Sequence, residues 1–215
     1  MAIRYKIFFE ISRILIFATG MIISTSTWVQ AQDDSPAFRE IDVMISLQEN
    51  TNRNYFHDYW SPSPAFHVEF STPFYLGSFF ISGGYTSFTG TNDQMDLPDF
   101  DNLQASVGWG MHFNIINRIE IGSSFGALFS MMNFENVSNE QQERAEKRFG
   151  STSPESEIGF RYGADVSYDF TQNWGVRLQW TRNVVYTETK MKLNYVGLGI
   201  YRTFNTPEWL RMVLR

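Results

Sequence analysis

From Glu40 onward the chain alternates polar and apolar residues in segment after segment, and this period of two is what most restricts its fold. Successive side chains of a strand point to opposite faces, whereas a helix returns to one face every three to four residues. In the first segment, about residues 40–48, Ile41, Val43, Ile45 and Leu47 share one face, and Glu40, Asp42, Ser46 and Gln48 share the other. In the sixth, residues 157–170, Ile158, Phe160, Tyr162, Ala164, Val166, Tyr168 and Phe170 oppose Glu157, Gly159, Arg161, Gly163, Asp165, Ser167 and Asp169.

The same reading places further strands at about residues 65–70, 76–89, 102–113, 118–133 and 174–181. A last strand closes on Gly197–Phe204, where Val196, Leu198 and Ile200 oppose Gly197 and Gly199. The third is the loosest, because Phe80 and Phe88 fall on its otherwise small, polar face.

The 215 residues suffice for one domain, and the absence of cysteine excludes disulfides and a lipoprotein anchor. The formal net charge is −6. An acidic chain does not suit nucleic acid, whose phosphates need a basic face. Residues 1–31 read as a secretory signal peptide, with Arg4 and Lys6 at the start, an apolar centre Ile14–Ile23, and Val29 and Ala31 before a predicted cut. That apolar run is about half of the roughly 20 residues a spanning helix needs. A membrane crossing by this chain is therefore made by strands.

Two observations predict that the apolar faces point outward into lipid. The polar faces hold glycine, serine and a few charges of both signs, a composition suited to a narrow bore rather than a wetted surface. The apolar faces carry rings near strand ends: Trp109, Phe113, Tyr168, Phe170, Trp174 and Phe204. Connections also alternate in length. Short turns at 71–75, 114–117 and 171–173 alternate with long ones at 49–64, 90–101 and 134–156; the last, 187–191, is intermediate. The expected fold is all-β: an eight-stranded antiparallel up-and-down transmembrane β-barrel, residues 32–204, with short periplasmic turns and longer outer loops. Residues 205–215 form a tail in which Thr206-Pro207-Glu208 reads as a helix start, predicting a short interfacial helix or a frayed end.

The stretches FRYGADVSYDFTQNWGVRLQW (Phe160–Trp180) and YVGLGIYRTF (Tyr195–Phe204) resemble the closing hairpins of OmpA-like eight-stranded outer-membrane barrels. The resemblance implies a bacterial outer-membrane location, lipid and lipopolysaccharide as surroundings, and delivery to the barrel-assembly machinery. It also implies an assembly signal in the last strand, with Gly199, Tyr201 and Phe204 as the matching residues. Thr203 inside the ending and the continuation past Phe204 depart from that pattern.

The lumenal charges are the first candidate site: Asp42, Glu69, Glu120, Asp165 and Asp169 with Arg118, Arg161 and Arg177, and His67 and His112 beside them. Charges withdrawn from water must pair, which predicts a salt-bridged plug. The alternatives are a narrow ion path and a metal or acid/base site at His67 and Glu69. In the first long loop His57, Asp58 and Ser61 sit among Tyr55, Phe56, Tyr59 and Trp60. These are residue types used by outer-leaflet lipid A enzymes, but without a recognisable motif; aromatic packing on the rim is the plainer reading. The second loop holds Asp93, Asp96, Asp99 and Asp101 without EF-hand spacing, and the third carries a capping-box start at Ser138–Gln141. No phosphate cradle or zinc spacing is present in the sequence, so no cofactor is expected. The expected function is non-enzymatic: a structural, adhesive or ligand-binding role carried by the outer loops. A lipid A modifying enzyme and a narrow channel are the rivals.

Overall fold

The computed structural model describes residues 37–52, 55–91, 98–134, 155–186 and 190–209. The chain divides into two units, Met1–Pro36 and Ala37–Arg215. The predicted signal segment, residues 1–31, lies outside the described residues, as do Asp93, Asp96 and residues 135–154 of the third loop, with its capping-box start.

The second unit contains β1 (Glu40–Asn50), β2 (Trp60–Pro62), β3 (Ala65–Phe74), β4 (Gly77–Gly90), β5 (Phe100–Ile116), β6 (Ile119–Phe134), β7 (Glu155–Asp169), β8 (Trp174–Val185) and β9 (Met191–Asn205). Every pairing is antiparallel, and eight strands close a ring in the order β1, β3, β4, β5, β6, β7, β8, β9, with β9 returning to β1. The expected up-and-down barrel is the fold observed.

Its strands are strongly staggered. Following register partners from Asp42 through Ser71, Phe80, Gly108, Gly126, Arg161 and Asn183 leads to Leu193 on β9. Leu193 lies beyond Tyr195, the partner of the far end of β1 at Asn50. One circuit therefore climbs the full length of a strand, the stagger that closes a narrow, tilted barrel.

The ninth strand, β2, departs from the sequence reading, which left this stretch in a loop. It pairs with the end of β4 (Trp60↔Gly90 to Pro62↔Phe88) along the same edge that β3 occupies further down. Pro64, which has no N–H to give, interrupts what would otherwise be one long strand, while Ser63 N still bonds Ser87 O at 2.8 Å. Several strands also run further than the alternation indicated. β3 continues to Phe74, so that the first short turn is only Tyr75-Leu76, and β5 continues to Ile116 with an irregularity after Asn114.

The faces are disposed as the alternation predicts. Leu47, Phe125 and Leu198 point outward and are 65%, 66% and 63% exposed, while Ser46, His67, Glu69, Arg161 and Arg177 are buried inside the ring. No helix among the described residues is long and apolar enough to cross a membrane; the outward apolar band belongs to the strands. Residues Glu208 and Trp209 are helical, and the rest of the tail lies outside the described residues.

The lumen differs from expectation at the end that carries the long loops. There an apolar cluster of Tyr59, Trp60, Ala65, Phe88, Phe100, Leu128, Met132, Val185, Leu193 and Tyr195 fills the bore. Phe88 stacks on Phe100 with ring centroids 4.7 Å apart, and Phe100 meets Trp60 edge-on at 5.6 Å. Phe80 and Phe88, which break the alternation of β4, both face the lumen: Phe88 belongs to this cluster, and Phe80 lies lower on the strand, against Arg161. Burying two rings in a bore otherwise lined by small polar groups removes more apolar area from water than serine could there.

Candidate functional site

Below the apolar cluster the lumen holds a connected charge network. Arg161 on β7 gives Nη2–H to Glu69 Oε2 at 2.9 Å, and Arg177 on β8 reaches Glu69 Oε1 at 3.4 Å. Arg177 Nε and His112 Nε2 each lie 3.6 Å from Asp165 Oδ1. Arg161 Nη1 also donates to His67 Nε2 and Ser106 Oγ, both at 3.1 Å, and to Ser82 Oγ. Gln179 Nε2 donates to Ser46 Oγ at 2.8 Å, and Ser46 contacts His67 Nδ1 at 3.4 Å. Rings cover both guanidiniums: Phe80 lies 5.2 Å from Arg161 and Tyr201 lies 5.1 Å from Arg177.

Glycines make room for these long side chains. His112, Gly122 and Asp165 are neighbours across β5, β6 and β7. A Cβ on Gly122 would stand 2.5 Å from both Asp165 Oδ2 and His112 Cδ2, so only glycine lets that pair meet over β6. Gly108 faces Gly126, with no space for a methyl on either.

Nine of the ten predicted lumenal residues cluster around this network or at the mouth below it. Asp42 accepts from Thr203 Oγ1 at 2.6 Å, and Asp169 accepts from the Tyr201 hydroxyl. Glu120 is half-buried opposite Ser167, toward the turn end. Arg118 corrects the sequence reading: it is exposed in the two-residue turn between β5 and β6, with φ of +75°, and stands outside the bore. Alternation could not show this, because a hairpin turn ends the face assignment at the residue where the backbone reverses.

The structure makes little of the alternative chemistries. Both ring nitrogens of His67 face protein groups, Arg161 and Ser46. Among the described residues no group of three or more His, Asp or Glu could hold a metal ion. In the first loop, His57 lies against Trp60 O (3.2 Å) and Asn50 Oδ1 (3.0 Å), while Ser61 is an exposed residue of β2. Asp99 accepts from Gly90 N and Asp101 from the Tyr85 hydroxyl, so these two loop carboxylates brace the rim. The last-strand residues divide between faces. Gly199 and Tyr201 point inward, where the Tyr201 ring covers Gly175, and Phe204 points outward.

No family model matches the sequence, and no curated protein matches it significantly. Solved structures do. Neisserial surface protein A aligns over 79% of this chain and 100% of its own, at 13% identity and a TM-score of 0.54. Ail, the attachment invasion locus protein of Yersinia pestis, covers 78% of this chain and 97% of its own at 18% identity and a TM-score of 0.43. The outer membrane protein OprG from Pseudomonas aeruginosa covers 79% and 97% at 9% identity and 0.46. The first alignment bears on the fold, and the other two are too loose to argue from. Ring closure, an apolar exterior and that alignment together make this chain an eight-stranded transmembrane β-barrel of the outer-membrane type.

Proposed function

We propose that this protein is a non-enzymatic resident of the bacterial outer membrane, exported by its N-terminal segment, whose lumen is a sealed structural plug and whose working surface is its loop end. One observation carries this reading: the bore is bridged or filled at two successive levels. At mid-height Arg161, Glu69 and Arg177 bridge it, and above them Phe88, Phe100, Leu193 and their neighbours fill it. Ion conduction needs a wetted path, and eight-stranded barrels leave little interior beyond their own side chains. Catalysis at the outer leaflet needs a nucleophile and base within hydrogen-bond reach. Here the His57 ring is directed to Asn50 and Trp60. With bore and rim committed to packing, recognition falls to the loops, which carry function more often than the scaffold does. In the same reading the last strand, through Gly199, Tyr201 and Phe204, is what the assembly machinery engages.

Density-gradient fractionation of an expressing bacterium, followed by recording the purified protein in planar bilayers, tests the proposal. Recovery with the outer membrane, no steady conductance and unchanged lipid A mass spectra are the expected results. Stable channel openings, or lipid A losing or gaining an acyl chain on expression, would overturn it.

A further inference from the structure

Between the loop end of β1 and β2 the described residues form no ladder. β1 pairs with β3 as far as Gln48↔Ala65, and β2 pairs with β4, but no rung joins β1 to β2. The 3-10 turn Tyr55–Asp58 comes between the two strands in sequence, and its His57 reaches both. His57 Nε2 stands 3.0 Å from Asn50 Oδ1, at the end of β1, and Nδ1 stands 3.2 Å from Trp60 O, at the start of β2. Each strand is anchored on its far side. Asn50 is opposite Tyr195 on β9. Trp60 is opposite Gly90 on β4, and its indole gives Nε1–H to Pro98 O at 3.0 Å.

Both partners of the ring are acceptors. Trp60 O is a main-chain carbonyl and has no proton to give. Asn50 could turn either end of its amide to the ring, but Asn52 N–H donates to the same Oδ1 at 3.0 Å, which fixes that atom as the oxygen. A neutral imidazole has one N–H and one bare nitrogen, whichever tautomer it adopts. One of the two contacts would then set a lone pair against an oxygen. The imidazolium, with a proton on each nitrogen, donates to both. His57 is half-buried, so solvent protons can reach it.

We infer that His57 is a pH-dependent latch: as the imidazolium it ties the first long loop to the end of β1, and on losing its proton it releases the turn Tyr55–Asp58. Protonation strengthens the closed loop, so the latch is set in acid and is lost as pH rises through the histidine range, between about pH 5 and 8. The ionisable groups around it are Asp58 on its own turn, Glu49 beside Asn50 on β1, and Tyr195 and Lys192 on β9, where Lys192 O accepts from Asn52 Nδ2. β2 carries none, and Asp99, beside the end of β4, accepts from Gly90 N. Arg53 and Glu188 lie outside the described residues. In either state β2 keeps its rungs with β4 and Trp60 its place in the apolar cluster, so release alters what the loop end presents and leaves the plug sealed. The use of such a control rests on the reading of the loop end as the working surface; its chemistry does not.

Hydrogen exchange of the full chain folded in lipid vesicles tests the latch. It is read by mass spectrometry at about pH 5 and about pH 8, after correction for the intrinsic pH dependence of amide exchange. Peptides covering residues 51–63 should lose protection at least fivefold between the two, while peptides from β5 keep theirs. H57Q, neutral throughout, should show the weaker protection at both pH values. D58N, R53Q and E188Q should each behave as the wild type. Heat-modifiable migration reports folding of every variant, and should H57Q not fold, H57F takes its place. Protection of the first loop that does not change with pH in the wild type would overturn the latch. So would a pH dependence that survives in H57Q, or one that disappears in D58N, R53Q or E188Q. Exchange in vesicles is indifferent to the cellular location and to what the loops recognise, so its failure is separate from that of the proposed function, which fractionation, conductance and lipid A spectra decide.

Discussion

Arg161 and Glu69 stand on β7 and β3, strands at opposite points of the eight-membered ring, and meet across the bore at 2.9 Å. This one contact spans the barrel, and Arg177 ties the second oxygen of the same carboxylate to β8 at 3.4 Å. All three side chains are at least nine-tenths buried.

Breaking the bridge from either side should cost more than removing it whole. Arg161→Ala strands a buried carboxylate and should destabilise the barrel by about 3–5 kcal/mol. Glu69→Ala strands two guanidiniums and should cost at least as much. The double change Arg161→Met with Glu69→Gln leaves only Arg177, which keeps Asp165, and should recover more than half of the loss. Urea unfolding in lipid vesicles, followed by tryptophan fluorescence, would measure the three. Additive losses in the double variant would show that the pair is not coupled.

The glycines of the wall should differ sharply in tolerance. A methyl at Gly108 would meet Phe125 O at 2.2 Å and Gly126 Cα at 2.6 Å, both backbone atoms. A methyl at Gly83 would meet nothing nearer than Gln104 O at 3.9 Å. Gly108→Ala should therefore cost about 1–3 kcal/mol. Gly83→Ala should change stability by less than about 0.5 kcal/mol. Parallel unfolding curves decide it, and equal midpoints for the two variants would contradict the packing described.

Phe88 is completely buried in the apolar cluster at the loop end. Phe88→Ala should cost about 3–5 kcal/mol, and Phe88→Leu roughly half as much. Both are read by the temperature at which heat-modifiable migration is lost. A neutral Phe88→Ala would mean that this end of the bore is not packed.

Arg118 occupies the left-handed backbone region with its side chain in solvent. For a non-glycine residue that conformation costs about 1–2 kcal/mol, and glycine loses about 0.5–1 kcal/mol in chain entropy. Arg118→Gly should thus be stabilising by about 0.5–1 kcal/mol in the same unfolding assay. A loss of stability would reveal a contact that Arg118 makes.

The alternation made the wall legible because its period is tied to geometry: Ile45, Leu47, Phe125 and Leu198 had to leave the face that Ser46, Arg161 and Arg177 occupy. What the bore does with its contents was less legible. Sequence could name Glu69 and Arg161 as candidates, yet their meeting depends on ring closure and stagger, which no local pattern encodes. The apolar cluster escaped because Phe88 read as noise within one strand; only with Phe100, Leu128, Val185 and Leu193 beside it does it form a core. β2 escaped because three residues that end in Pro62, with Pro64 soon after, carry no periodic signal. Arg118 was misplaced by extending a strand's alternation one step into its turn.

The bridge between β3 and β7 joins residues 92 positions apart. A partly assembled sheet, still open on one side, holds those strands at its far reaches with nothing to draw them together. Glu69 would then wait without its counter-charges until the last hairpins curl the sheet round. The contact thus rewards the finished cylinder and no earlier form, acting as a latch that sets only when the seam between β9 and β1 is shut.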